Sequence, residues 1–244
     1  MTSALPARAS RLRGARALFT GREGGVSTGE HAGLNLARHV GDEEHSVTRN
    51  RELLEAELGV PLVFVDQVHS ADVHALPPTG VAPVVTADAM VTDRRDVGLA
   101  IMVADCLPVL LSDPVSGTIA AAHAGRAGLL GGVLERTLEV MAEFGTRPVD
   151  LTASIGPAIC GDCYEVPAAM REDAARQLPA TWAATSWGTP SIDLRAGAIE
   201  VLSAAGIPLS AIEADHPCTL EDDRFYSYRR QAHTGRFAGV LRRE

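Results

Sequence analysis

Three apolar runs of strand length between residues 62 and 124 each stop at a soft-metal ligand. Residues 62–66 lead into Gln67-Val68-His69, residues 98–104 into Asp105-Cys106, and residues 118–122 into His123-Ala124-Gly125. Strand ends are where a sheet gathers reactive groups from distant parts of a chain. One thiolate and two imidazoles also match the preference of a catalytic zinc, which takes three protein ligands and keeps one position open.

The neighbours of these ligands support a shared site. Asp105 follows Ile101-Met102-Val103-Ala104, and a carboxylate there is costly unless it is solvated or hydrogen-bonded. His123 follows four small apolar residues, and Gly125 and Gly128 beside it suit a tight turn or close packing. Taken singly, each residue reads as core: a buried cysteine behaves as a small hydrophobe, and a lone histidine can be a satisfied core residue. His74 is the nearest spare ligand, and its strand-like surroundings predict a surface histidine.

Two further stretches offer anion and ring contacts. Gly21-Arg22-Glu23-Gly24-Gly25-Val26-Ser27 is a glycine-rich turn that matches neither phosphate-loop nor dinucleotide patterns. It is either a surface turn or a loop that brings Arg22 and backbone N–H groups to an anion. Tyr226-Ser227-Tyr228-Arg229-Arg230 and Thr234-Gly235-Arg236 offer aromatic rings and cations, or else a solvated charge run. The remaining cysteines are Cys218 and the pair in Cys160-Gly161-Asp162-Cys163. A C-x-x-C can hold zinc or do redox chemistry. With no second C-x-x-C and no thioredoxin-like start, burial or incidental spacing is the simpler reading.

The chain has 244 residues, enough to bury a core without disulfide staples. Helical spacing is expected over 48–58, 129–144, 167–177 and 194–205, with Asp193 a candidate N-cap. Strands are expected over 15–20, 62–66, 71–76, 87–92, 98–104, 108–112, 118–122, 149–155 and 212–214. Residues 182–190 read as a surface loop, and 218–240 as a charged, aromatic tail. Strand and helix mix without strict alternation, which favours mixed sheets over a doubly wound parallel one. Mixed β-sheets flanked by helices are therefore expected, with residues 1–14 as a candidate flexible extension.

A net charge of -9 argues against a nucleic-acid backbone as the main partner. No apolar run reaches the roughly 18 residues of a membrane span, and residues 1–18 lack the apolar centre of a secretory signal. A cytoplasmic protein is expected, with no nucleic-acid or membrane partner. There is no lysine, so every fixed cation is arginine. A base-composition bias is the simpler explanation than selection for anion recognition.

An ordered set of short motifs spans nearly the whole chain. It runs Arg22-Glu23-Gly24-Gly25-Val26-Ser27, Leu34-Asn35-Leu36, His39-Val40-Gly41-Asp42, Asn50-Arg51, Gln67-Val68-His69, Ala87-Asp88-Ala89, Ala104-Asp105-Cys106 and His123-Ala124-Gly125. It continues through Ile155-Gly156-Pro157, Cys163-Tyr164-Glu165-Val166, Cys218-Thr219, Phe225-Tyr226-Ser227-Tyr228-Arg229-Arg230 and Thr234-Gly235-Arg236. The set resembles the YfiH/YlmD family, also labelled laccase-domain or polyphenol-oxidase-like proteins. The chain departs modestly from that pattern, with Tyr226 where a second phenylalanine is common and Leu220 where an aromatic is usual.

The resemblance implies a single layered α+β domain over 1–244 with a YfiH-like fold, and a zinc site on His69, Cys106 and His123. It also implies phosphorolysis of adenosine, inosine, guanosine and methylthioadenosine, together with adenosine deamination. Substrate contacts are expected from Arg22, Asn35, Gln67, Tyr228, Arg229 and Arg230, and catalytic roles from Arg22 (on phosphate) and Asp105 (as proton carrier). The expected partners are purine nucleosides and phosphate, in a monomer or weak homodimer. The laccase label implies copper, which soft N/S sites also bind, but the multi-histidine clusters of true laccases are absent. Two alternatives use the same residues: a metal-free cysteine hydrolase or deamidase with Cys106 as nucleophile and His123 as base, and a peptidoglycan-precursor editing factor.

Overall fold

The computed structural model describes residues 7–244, apart from the side chain of Arg8. Two mixed sheets stack face to face. The first has the order β1 (Ala7–Ala9), β2 (Ala15–Thr20), β13 (Phe237–Arg243), β6 (Gly98–Val103) and β3 (Leu62–Val63). The second has the order β12 (Ile212–Glu213), β9 (Thr152–Ile155), β7 (Leu107–Ser112), β8 (Ile119–Ala124), β5 (Ala89–Thr92) and β4 (Val73–Ala75). The pairs β3/β6, β4/β5 and β12/β9 are parallel, and the other pairs in these sheets are antiparallel.

The two-residue side-chain period of a strand explains the layering. In β6, Leu99, Ile101 and Val103 join Phe19, Met90, Leu110 and Ile119 in the core between the sheets. The alternate residues Ala100 and Met102 pack with Leu54 and Leu58 of α1 (Glu44–Leu58) on the outer face. In β8, Ile119 and Ala121 face the central core, and Ala120 and Ala122 face α3 (Val133–Glu143) and α5 (Leu194–Ala204). Both faces of the central strands are therefore covered, which is why they read as continuous apolar runs. Burying a Leu or Ile side chain contributes roughly 1.5–3 kcal/mol, so three stacked cores hold the sheet ends that carry the ligands in place.

Most expected elements appear within a few residues, and Asp193 caps α5 by accepting a hydrogen bond from Ala196 N at 2.9 Å. Four expectations are corrected. The helix over 129–144 is two helices, α2 (Arg126–Leu130) and α3, because Gly132 between them adopts φ +89°. Residues 182–190 are not a plain loop: β10 (Trp182–Ala184) and β11 (Pro190–Ile192) pair as an antiparallel hairpin ahead of α5 and after α4 (Ala168–Gln177). The charged tail delivers β13, which pairs with both β2 and β6 in the middle of its sheet. Of the candidate extension, residues 1–6 lie outside the described residues, while Ala7–Ala9 pairs with β2 as an edge strand.

Candidate metal centre and cavity

The turn from β6 to β7 carries Asp105 and Cys106, and the end of β8 carries His123. Register brings them together, since Pro108 pairs with His123 and Leu107 with Ala124. His69 arrives from the segment after β3. Its ring centroid lies 4.6 Å from that of His123, edge to face. His69 Nε2 is 3.7 Å from Cys106 Sγ. The ligand atoms of His69, Cys106 and His123 all lie within 4.8 Å of one another.

Asp88, immediately before β5, organises this group. Its buried carboxylate accepts hydrogen bonds from Val68 N (3.2 Å), His69 N (3.0 Å), Ser70 N (2.6 Å) and Ser70 Oγ (2.9 Å). It also takes His123 Nδ1 at 2.7 Å. One carboxylate thus fixes the backbone that carries His69 and the tautomer of His123, leaving Nε2 of His123 free for a ligand. Among the described residues, only His69 (φ +64°) and Asp105 (φ +93°) are non-glycines at positive φ. Strained backbone of this kind persists where surrounding contacts over-determine it, and it concentrates at functional sites. Gly125 leaves the room: a Cβ there would lie 2.7 Å from His69 Cδ2 and 2.9 Å from Cys106 Sγ.

The electrostatics suit a cation. Burial raises the Cys106 thiol, but hydrogen bonds from His123 and His69 outweigh it and hold the group down at about 6. Burial lowers His123, but hydrogen bonds to Asp88 and Cys106 hold it up at about 9. A thiolate is therefore present at neutral pH, and a soft cation would displace the His123 proton from Nε2. The donor set, the spacing and the outer carboxylate all fit a tetrahedral zinc with an open position.

The three ligands sit in a cavity of about 390 Å³. Gln67, Asp105, Tyr228 and Arg229 line it as well, together with His39, Met102, Tyr164 and Arg236. Gln67 is committed to the fold, because its amide pairs with both N and O of Met102. The Asp105 carboxylate accepts hydrogen bonds from Thr219 Oγ1 at 2.6 Å and Arg229 N at 2.7 Å, so it anchors the opposite wall.

Three residues expected to contact substrate do not line the cavity. Arg22 lies over the Tyr226 ring, 5.2 Å from its centroid. Asn35 is fully buried and accepts Arg236 N at 2.9 Å, so it positions an arginine that does line the cavity. Arg230 donates to the carbonyls of Thr219, Leu220, Asp222 and Phe225 and clamps the C-terminal loop. Tyr226 is buried, with its hydroxyl on the His31 and Ala32 carbonyls, whereas Tyr228 is 57% exposed at the cavity. His74 stands apart, on β4.

Asp88, His39 and Tyr164 carry no site role in the sequence reading, and Arg236 enters it only as one of several C-terminal cations. A usable signal existed for Asp88, a lone carboxylate between alanines in an apolar run, which is the same argument that singled out Asp105.

Residues 16–244 match the family model described as multi-copper polyphenol oxidoreductase laccase. The chain belongs to that laccase-like family. A relative from Streptomyces coelicolor, named a purine nucleoside phosphorylase, is 48% identical over 94% of this chain and 96% of its own length. The crystal structure of YfiH from Bacillus licheniformis matches with a TM-score of 0.87 at 30% identity, covering 94% of this chain and 93% of that one. YlmD from Geobacillus stearothermophilus matches with a TM-score of 0.86 at 33% identity, over 95% and 93% of the two chains. The expected YfiH-like fold is thus the observed one. Among the described residues, no helix is long and apolar enough to cross a membrane.

Proposed function

We propose that this laccase-like family member is a zinc-dependent purine nucleoside phosphorylase that also deaminates adenosine. The observation that carries the reading is the His69–Cys106–His123 group in a 390 Å³ cavity also lined by Tyr228, Arg229 and Arg236. That volume suits a small ligand. The names of the relatives support the purine nucleoside class.

In phosphorolysis a phosphate oxygen forms a bond to C1′ as the C1′–N9 bond breaks, and the purine leaves with the bonding electrons. Phosphate needs cations, and Arg229 and Arg236 are the cavity's arginines. Arg22, outside the cavity, is assigned to structure. Tyr228 is placed to stack on the base, worth on the order of 1–3 kcal/mol by analogy with base–aromatic stacking. His39 is lowered by burial and then by the Arg236 charge, which favours a neutral imidazole that can exchange a proton with substrate. Asp105 holds the wall rather than carrying protons. His69, Cys106 and His123 would hold the metal, which supplies Lewis acidity for polarising a substrate oxygen or a water.

A second reading is favoured by the Asp88–His123–Cys106 sequence of contacts, which also fits a cysteine nucleophile with a histidine base oriented by a carboxylate. One experiment separates the two. Metal content and adenosine turnover are measured with and without phosphate, for the wild type and Cys106→Ala. About one zinc at this site, adenine formed only with phosphate, and loss of both in the variant support the phosphorylase. Inosine formed without phosphate supports the deaminase activity. Turnover that survives complete removal of zinc overturns the metal-dependent reading and favours the cysteine nucleophile.

A further inference from the structure

Away from the cavity's ligands, two tight turns face each other. In the first, Cys160-Gly161-Asp162-Cys163, the N–H groups of Cys163 and Tyr164 both return to the Cys160 carbonyl, at 3.1 and 2.9 Å. In the second, Cys218-Thr219-Leu220-Glu221, Asp222 N returns to the Cys218 carbonyl at 3.0 Å. A parallel bridge between Ala158 and Cys218 joins them, and Thr219 N donates to the Ala158 carbonyl at 3.1 Å. Each turn places two potential ligands three residues apart on one side. The resulting four ligand atoms, from Cys160, Cys163, Cys218 and Glu221, all lie within 4.8 Å of one another.

We propose that Cys160, Cys163 and Cys218, with Glu221 as fourth ligand, form a second zinc site that is structural and braces the wall of the catalytic cavity. A tetrahedral ion with bonds of ~2.3 Å to sulfur sets its ligand atoms roughly 3.8 Å apart, a modest contraction of the observed cluster. All four positions are filled by protein, which is the mark of a structural rather than a catalytic zinc. Cys163 and Cys218 are buried with Ile159, and Cys160, Tyr164 and Leu220 pack against them. Glu221 is exposed and gives the site an open side for loading. One backbone N–H already points at sulfur: Cys160 N donates to Cys218 Sγ at 3.4 Å.

The donor set suits zinc, which takes cysteine thiolates and carboxylates as ligands and releases the thiol protons on binding.

The site's consequence follows from what the turns touch. Ile159 and Tyr164, adjacent to Cys160 and Cys163, line the catalytic cavity. Ile159 N donates to the Asp105 carbonyl at 3.0 Å, and Thr219 Oγ1, next to Cys218, donates to the Asp105 carboxylate. Both turns therefore hold Asp105, whose positive φ presents Cys106 to the first site.

The test counts zinc in the intact purified protein by elemental analysis and repeats the count for Cys106→Ala and Cys163→Ser. The expected result is two ions per chain in the wild type and one in each variant. Cobalt substitution of Cys106→Ala keeps the test decisive if Cys163→Ser fails to fold. Sulfur-to-cobalt charge-transfer absorption should persist there, because the first site then has no thiolate. A single wild-type ion that survives Cys106→Ala and is lost in Cys163→Ser supports this site while sinking the catalytic one. A single ion lost in Cys106→Ala, no thiolate–cobalt band in that variant, or a disulfide within the cluster by mass spectrometry of the alkylated protein would each overturn the proposal.

Discussion

Asp88 and His123 are a buried pair in which the carboxylate takes the imidazole Nδ1 at 2.7 Å while holding three consecutive backbone N–H groups, from Val68, His69 and Ser70. The contact links the backbone under one ligand to the ring of another. Asp88→Asn keeps the shape but loses the charge, and its amide cannot accept on both edges. Metal affinity should fall by roughly 10–100-fold, read by competition with a chromogenic chelator. An unchanged affinity would show that the pair does not orient the ligand.

The same pair sets an acid limit on stability. Burial raises Asp88, but the His123 hydrogen bond and the Ser70 N–H outweigh it and hold the carboxyl at about 2. A depressed carboxyl stabilises the fold fully above its unfolded value of ~3.9, and that contribution is lost as pH falls toward 2. The loss is on the order of 2–3 kcal/mol. Denaturant titrations at pH 7, 4 and 2.5 should show this decline in wild type and a flatter one in Asp88→Asn. Parallel declines would assign acid sensitivity elsewhere.

Cys106 should betray its thiolate once metal is removed. In chelator-treated protein, its alkylation should rise through a midpoint near pH 6, matching the value held by His123 and His69, rather than near the usual ~8.5. Metal-loaded protein should be protected. The readout is modification at Cys106 by mass spectrometry, and a midpoint above pH 8 contradicts the assignment.

Gly125→Ala tests the closeness of the ligands. The added Cβ would meet His69 Cδ2 at 2.7 Å and Cys106 Sγ at 2.9 Å, and neither can retreat without opening the cluster. Zinc retention and turnover should both drop at least tenfold, while far-UV circular dichroism stays that of the wild type. Full zinc retention would show that the ligands have more freedom than the geometry allows.

Phosphate recognition separates two arginines. Arg236→Ala should raise the phosphate KM by roughly 10–100-fold, the loss of a charge-assisted contact worth ~1.5–3 kcal/mol. Arg22→Ala should leave that KM nearly unchanged, since Arg22 packs over Tyr226 outside the cavity. The reverse pattern returns phosphate binding to the glycine-rich turn.

Strand ends were the legible part of the site. His69, Cys106 and His123 stand out because a polar, metal-loving residue at the end of an apolar run has few structural excuses, and all three meet. Arg22, Asn35 and Arg230 lie outside the cavity lining, which their local sequence does not reveal. Arginine and asparagine in a motif look alike whether they face a ligand or bind backbone carbonyls, and here Arg230 does the latter four times over. Cys160 and Cys163 read as incidental because no second C-x-x-C accompanies them, while Cys218, which lies beside them in space, is more than fifty residues away in the chain.

Local sequence determined that the sheets are mixed, most strand and helix positions, the Asp193 cap and the three donor side chains that meet at the strand ends. Each depends on side-chain period, turn chemistry or donor type, which act over a few residues. Tertiary structure alone decided that β13 enters the centre of its sheet, that Asp88 ties His69 to His123, and that Arg236 rather than Arg22 lines the cavity. Those outcomes depend on which strands pair and how two sheets stack, and such contacts join residues more than two hundred positions apart. A pairing of that range is chosen by burial summed over the whole core, so no short window of sequence contains it.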